Sequence, residues 1–240
     1  MKCNKHGVKM NFSHLLSDYP FTTELHAHSN PVSACGDFPA DKVVEFYAKE
    51  GVNSLVITNH LTPNNCNEGV EYYLEDYRRA KEAAGSSINV ILGAELRFSE
   101  NNNDYLIYGV SENDIAKFIE LIPYGIENFY KEAKTDKNLI IQAHPFRNGI
   151  ELAPLGSIDG IESFNMHPSH NGRLAVAARY ARENNLTVTA GSDFHHKNHQ
   201  ALGLIRTKTE LKDSYDVAAA IKSRDILFDC SGHIVIPYLY

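Results

Sequence analysis

Apolar residues along this chain fall into short runs separated by stripes at helical spacing. Runs at 21–26, 54–58, 88–92, 105–110, 139–143, 160–164 and 186–190 have strand length, and most are rich in Val, Ile and Leu. Between them, apolar residues recur every three or four positions. Ala40, Val43, Val44 and Tyr47 form one such stripe, with Pro39 suited to its first turn and Gly51 to its end. Further helices are predicted at 68–84, at 112–121 and 124–134 (parted near Pro123), and at 169–184 on Leu174, Ala177, Ala178 and Ala181. A last helix is expected at 215–222 and a short strand at 226–228. Residues 1–19 show little periodicity and read as a polar leader, leaving 20–240 as one domain without repeats or a long linker. Strands alternating with helices imply an α/β fold whose parallel sheet is covered by helices. With about seven such strands, a closed or distorted barrel is favoured over an open sheet.

Composition narrows the classes of function. The 23 basic and 30 acidic residues give a net charge of −7, which argues against a general nucleic-acid surface. Local binding of a phosphate by one or two arginines stays open. Cys3, Cys35, Cys66 and Cys230 are scattered with no paired spacing, so a reducing compartment is the simpler reading. The N-terminal stretch has no apolar signal core, and no apolar run has the length of a membrane span. A cytoplasmic protein is expected. The chain carries twelve histidines, most of them beside turn residues after apolar runs.

The positions of the polar residues carry the chemistry. His26 and His28 are two apart at the end of the first strand, so they project from one face, roughly 6.6 Å apart at Cα. Taken alone, they fit a half-metal site and a solvated strand end equally well. However, His60, Glu95, His144 and the Asp193/His195 pair also fall at or just past strand ends. In parallel barrels the strand ends converge on one mouth, where catalytic residues gather. Nitrogen and carboxylate ligands of this kind suit Zn, Mn or Fe. Seven such side chains exceed what one ion takes, so two or three divalent ions are implied. Glu95 and Asp193 are the natural bridging carboxylates.

At these residues the chain resembles the polymerase and histidinol phosphatase (PHP) superfamily. The resemblance rests on Glu24-Leu25-His26-Ala27-His28-Ser29, Thr58-Asn59-His60, Gly93-Ala94-Glu95, His144-Pro145-Phe146 and Gly191-Ser192-Asp193-Phe194-His195, in the family's order. It implies a distorted (β/α)7 TIM-like barrel, a metal cluster that is commonly trinuclear, and phosphoester hydrolysis. It further implies that His26, His28, Glu95 and Asp193 hold a first metal, Glu95 and His144 a second, and His60 and His195 a third. Glu95, Asp193 and His195 form the expected catalytic set. Glu24 and Asn59 stand where the family has Asp, at positions expected to orient ligands. The family also expects a ligand in the loop after the first motif. Here Cys35 and Asp37 are available, and Cys35 is preferred; the alternative is a plain loop cysteine. The strand after Glu95 lacks the family's His, and Asp104 is the available substitute.

Arg147 and Arg97 could each fork onto a phosphate, the alternative being a solvated surface arginine. Asn165 and His167, with His170 and Arg173, either line the pocket or sit in a solvated loop. His196 and His199 read as rim residues, and His6, His14 and His233 as surface. The expected reaction is metal-dependent hydrolysis of a small phosphate monoester, histidinol-phosphatase-like or nucleotide-directed. The acidic balance leaves a nucleotide or short oligonucleotide open and disfavours long nucleic acid. One rival is a metal-dependent amidohydrolase, whose barrel also opens on His-x-His. Against it, no Lys follows a middle strand to serve as a carbamate bridge. The other rival is a non-catalytic metal-binding domain, against which the near-complete ligand set argues.

Overall fold

The computed structural model describes residues 13–238, so residues 1–12 of the expected leader lie outside the described residues. Within that leader, Ser13–Asp18 forms a short helix, α1, where no regular element was expected. Strand β1 (Phe21–Ala27) then leads through a loop into helix α2 (Ala40–Lys49), which buries the predicted stripe Ala40, Val43, Val44 and Tyr47. Strands β2 (Ser54–Ile57) and β3 (His60–Leu61) precede helix α3 (Gly69–Ala84). Strands β4 (Asn89–Leu92), β5 (Ala94–Arg97) and β6 (Asp104–Tyr108) follow with no helix between them. Helices α4 (Asp114–Leu121) and α5 (Gly125–Ala133) lead to strands β7 (Leu139–Gln142) and β8 (Gly160–Asn165). Helix α6 (Leu174–Glu183) and strand β9 (Thr187–Gly191) come next. The chain ends with β10 (Gly203–Thr207), α7 (Ser214–Ser223), β11 (Leu227–Cys230) and β12 (His233–Val235). Asp213 caps α7 by accepting from the N–H groups of Tyr215 and Asp216.

Hydrogen bonding joins the strands into two six-stranded sheets, ordered β12-β11-β10-β1-β2-β4 and β3-β5-β6-β7-β8-β9. The expectation of purely parallel pairing is corrected. The β5–β6, β6–β7, β1–β10, β10–β11 and β11–β12 pairs are antiparallel. Residues 98–103 are too few for the helical crossover that a parallel β5–β6 pair would need. Helix α6 starts at Leu174, later than expected, because Arg173 takes a left-handed φ of 47°.

The sheets meet along two seams. On one, the Gly93 N–H donates to Ile57 O and the Glu95 N–H to Asn59 O, so the chain steps from one sheet to the other without a break. Gly93 is required there, since a Cβ would lie 2.7 Å from Val56 Cγ1 and 2.9 Å from Thr58 Cγ2. The Tyr73 hydroxyl, from α3, ties this seam by donating to Asn59 O and Gly93 O. On the other seam, the Phe194 N–H donates to His26 O and the His28 N–H to Phe194 O, each at 3.1 Å. Leu25, Tyr105, Tyr108, Phe129 and Phe194 are fully buried in the core. Among the described residues, no helix is long and apolar enough to cross a membrane.

Candidate metal centre

The second seam places the end of β1 beside the turn after β9, and the first brings β3 and β5 alongside. Four ends of chain therefore deliver side chains to one point. The alternation of β1 turns His26 and His28 the same way, with their Nε2 atoms 3.1 Å apart. Glu95 lies between them: its Oε1 is 3.2 Å from His26 Nε2 and its Oε2 is 3.2 Å from His28 Nε2. Asp193 Oδ1 closes the group at 3.4 and 3.5 Å from the same two nitrogens. His60 Nδ1 stands 3.1 Å from Glu95 Oε2, and His144 Nε2 3.4 Å from Glu95 Oε1. Asp104 Oδ2 reaches within 3.7 Å of His144 Nε2. His144 and Asp193 both adopt positive φ, at 31° and 53°. Such backbone strain in non-glycine residues persists where the surrounding structure holds it.

Among the described residues, three overlapping sets of donor atoms are close enough to share an ion. They are His26/His28/Glu95, His60/Glu95/Asp104 and His28/Cys35/His60/His195. The separations suit the purpose, since about 2.1 Å bonds in a tetrahedral shell put ligand atoms about 3.4 Å apart. Of the two loop residues, Cys35 joins a set, whereas the Asp37 carboxylate pairs with His196 Nδ1 at 2.7 Å. Asp104 joins a set too, but its two oxygens also take a fork from Arg97 at 2.7 and 2.6 Å.

Hydrogen bonding around the cluster shows whether these residues fit a metal. His26 Nδ1 lies 2.9 Å from Glu162 Oε1, which can only accept, so Nδ1 carries the proton. His28 Nδ1 lies 3.2 Å from Ser33 Oγ, whose own proton goes to Asn59 Oδ1, so this Nδ1 also donates. His195 Nδ1 donates to the Asp193 carbonyl at 2.8 Å. In the neutral rings each Nε2 therefore presents a lone pair. Among the described residues, Glu95 Oε1, Glu95 Oε2 and His60 Nδ1 are buried without a hydrogen-bond partner. Two imidazole lone pairs at 3.1 Å beside orphaned carboxylate oxygens require a cation among them. Without a metal, a proton takes that place. Burial alone would push the His26 imidazole down, but Glu162, Glu95 and Asp193 hold it well above its ordinary value. Likewise Glu95 and Asp193 lie well below the usual carboxylate range despite burial, because imidazoles surround them. Burial drives His60 and His195 down to about 3. Burial, then the charges of Glu95 and Asp193, push the Cys35 thiol up to about 12, so it needs a cation to become a thiolate ligand.

The expected substrate residues surround this cluster unevenly. A cleft of about 820 Å³ opens above it, walled by Arg97, Arg147, His167, His170, Tyr72 and His195 among others. Arg147 leans on Asp193 through Nη2, and its buried Nε has no partner among the described residues. His167 lies against His195 and His170, and burial lowers its imidazole to about 4. Asn165 is turned inward: its amide nitrogen donates to Glu162 Oε2 and Asp193 Oδ2 at 2.9 and 3.1 Å. It orients carboxylates rather than facing the cleft.

Sequence reasoning missed Glu162, Ser33 and Asp76. Glu162 is fully enclosed and serves His26, the His144 N–H and Asn165 together. A signal existed: an acidic residue inside a buried strand must be paired or functional. Ser33 and Asp76 have no comparable signal, since one lies in an irregular loop and the other in an ordinary helical pattern. Glu24, as expected, orients the first motif. Its Oε1 accepts from the His26 and Ser192 N–H groups at 2.9 Å each, and its Oε2 from the Tyr47 hydroxyl at 2.8 Å.

The family model described as the PHP domain matches residues 24–227. No curated protein sequence matches the chain. Among solved structures, a two-domain protein from Bacteroides vulgatus ATCC 8482, described as containing a predicted PHP-like metal-dependent phosphoesterase, is similar at 17% identity and a TM-score of 0.65. The match covers 88% of this chain and 64% of that one, so the chain spans under two thirds of the Bacteroides protein. PsfC from Pseudomonas syringae PB-5123 is similar at 16% identity and a TM-score of 0.61, covering 83% of this chain and 88% of that one.

Proposed function

The chain belongs to the PHP domain family, and from that premise we propose that it hydrolyses a small phosphate monoester at a cluster of two or three divalent ions. The observation that carries the reading is the convergence on Glu95. Five imidazoles and two further carboxylates approach it or its neighbours, yet among the described residues its own two oxygens have no hydrogen-bond donor. The fold shared with a protein described as containing a PHP-like metal-dependent phosphoesterase supports it. We also read the two sheets with their two seams as one distorted seven-stranded barrel.

In this reading His26, His28, Glu95 and Asp193 hold one ion, and Glu95, His144 and Asp104 a second. His60, His195 and Cys35, with His28 facing them, hold a third, where a thiolate favours zinc or iron over manganese. When bound, the ions acidify a water and neutralise the phosphoryl oxygens. The protein supplies the rest. Glu95 and Asp193 bring negative charge between the ion positions. Arg147, on the cleft wall, takes a phosphate oxygen, and Arg97 lines the same cleft while forked onto Asp104. His195, fixed by the Asp193 carbonyl, keeps its Nε2 on the cluster. A net charge of −7 favours a small ester or nucleotide over long nucleic acid. Among the described residues, Cys35, Cys66 and Cys230 are free thiols, which suits a reducing cytoplasm.

The test is elemental analysis of purified protein joined to a panel of phosphate monoesters, diesters, amides and lactones, with Zn, Mn or Fe added. Bound metal with monoester turnover is expected. Metal with turnover only of amides or lactones would give the site to the amidohydrolase chemistry. Metal with no turnover would leave a binding domain.

A further inference from the structure

We propose that Asp76, on α3 and outside the cluster, is a positioning residue that fixes the metal-binding tautomer of His28 through Asn59 and Ser33. The inference rests on the reading of the cluster as a metal site.

The relay can be followed atom by atom. The Ser29 N–H donates to Asn59 Oδ1 at 2.7 Å, and a backbone N–H admits only an acceptor. That fixes which end of the Asn59 amide is oxygen. Asn59 Nδ2 must then face Asp76, and it donates to Asp76 Oδ2 at 2.8 Å, and to Ser29 Oγ at 2.9 Å. The Ser29 hydroxyl in turn donates to the same Asp76 oxygen. On its other side, Asn59 Oδ1 accepts the Ser33 hydroxyl proton at 2.9 Å. Ser33 has one proton to give, and it is given. Its oxygen accepts the His60 N–H at 2.8 Å and has a remaining lone pair 3.2 Å from His28 Nδ1. His28 Nδ1 must therefore be protonated, leaving Nε2 as a lone pair toward Glu95 and Asp193.

Asp76 anchors this direction. It is 2% exposed, and no arginine or lysine makes an ion pair with it among the described residues. Its ligands are the Asn59 amide and the Ser29 hydroxyl. A buried carboxylate without a cation is costly unless its hydrogen bonds are specific. Here they hold the NH2 end of an amide whose oxygen end is held by the Ser29 N–H, so that both ends oppose a flip. A flipped Asn59 would point its NH2 at Ser33 and at the Ser29 N–H. Ser33 would then turn its proton toward His28, and Nε2 of that ring would carry a hydrogen into the cluster. Carboxylates that orient ligand imidazoles from behind typically change metal affinity 10–100-fold when removed.

The test uses the full chain and four variants: D76A, S33A, N59D and the swap N59D/D76N. Zinc or cobalt affinity is measured by chelator competition, with stoichiometry by elemental analysis and folding by circular dichroism of the metal-free proteins. D76A and S33A are expected to weaken the ion held by His28 by 10–100-fold. S33A breaks the relay beside His28 and decides the matter should D76A fail to fold. N59D faces one carboxylate with another across 2.8 Å and is expected to lose at least as much. The swap restores one amide and one carboxylate, with Ser29 still donating, and should return affinity to within a few-fold of the unmodified chain. Because a merely structural Asp76 would lower stability without moving affinity, wild-type affinity in folded D76A and S33A overturns the inference alone. A swap no better than N59D overturns it as well. No metal bound by the unmodified chain overturns the reading beneath it.

Discussion

Replacing Glu162 by Gln changes one atom in the structure and separates metal binding from folding. Glu162 Oε2 accepts from the His144 N–H at 3.1 Å and from Asn165 Nδ2 at 2.9 Å. The backbone donor cannot move, so the Gln carbonyl must occupy that position. Its NH2 then takes the place of Oε1, 2.9 Å from His26 Nδ1. Two donors cannot face each other, so the His26 proton moves to Nε2 and points at Glu95 Oε1, 3.2 Å away. The metal-free variant loses the Glu162 charge that helps hold a second proton on His26, so its stability should fall by about 1.5–3 kcal/mol, the value of a hydrogen bond to a charged group. A metal must now displace that proton and leave the ring facing an NH2. A 10–100-fold loss of affinity corresponds to about 1.4–2.7 kcal/mol. For 240 residues, about 2–4 °C of Tm accompanies each kcal/mol, so the metal-induced rise in Tm should shrink by roughly 3–10 °C. Thermal unfolding of both proteins, with and without saturating zinc or manganese, measures it. An E162Q protein whose Tm rises with metal as much as the wild type would refute the tautomer argument.

The other expectations follow the same geometry. Asp193→Ala removes the oxygen shared between His26 and His28 and the partner of Arg147, so metal and phosphatase activity should vanish together; full turnover at unchanged metal content would sink that role. In the cobalt-loaded protein, a sulfur-to-metal absorption in the near ultraviolet should be present and absent from Cys35→Ser, since Cys35 shares a donor set with His28, His60 and His195; identical spectra would show that the thiol is a bystander. Arg147→Ala should raise KM for a phosphate ester roughly 10–100-fold, the value of one charge-assisted hydrogen bond, with smaller change in kcat; an unchanged KM would remove Arg147 from the phosphate. Gly191→Ala puts a Cβ 2.6 Å from both Glu162 Oε1 and His26 Cβ; urea unfolding should show a loss of about 1–3 kcal/mol together with reduced metal content, and a variant as stable as wild type would mean that this contact yields.

Why some of this was legible in the sequence and some not follows from the range over which each feature acts. The strands and helices that place ligands are local patterns. The stripe Ala40, Val43, Val44 and Tyr47 is read from spacing alone and is buried as expected. His26, Glu95, His144 and Asp193 were found because each lies at the end of a buried apolar run. The run itself aims the side chain, so position in sequence implies position in space. Pairing direction is different. Nothing within 94–97 or 104–108 states that β5 and β6 run antiparallel; only the shortness of the connection does. β10 went unrecognised because its register with β1 and β11 is a tertiary fact.

The supporting residues were harder still, and for a chemical reason. A ligand must be His, Cys, Asp or Glu, so its type advertises it. A residue that holds a ligand's back proton needs only an oxygen, and serine, glutamate and a backbone carbonyl all serve here, at Ser33, Glu162 and Asp193, with Asn59 one step behind Ser33. Such residues come from a loop, a strand end and a strand interior with no common spacing. Asn59 shows the consequence. Read as a departure from the family's Asp, it looks like a lost charge beside the cluster. In the structure a carboxylate is still present one hydrogen bond further out, at Asp76, from a helix seventeen residues downstream. The carboxylate reaches the motif through that one bond, and the sequence motif records only the half that lies within it.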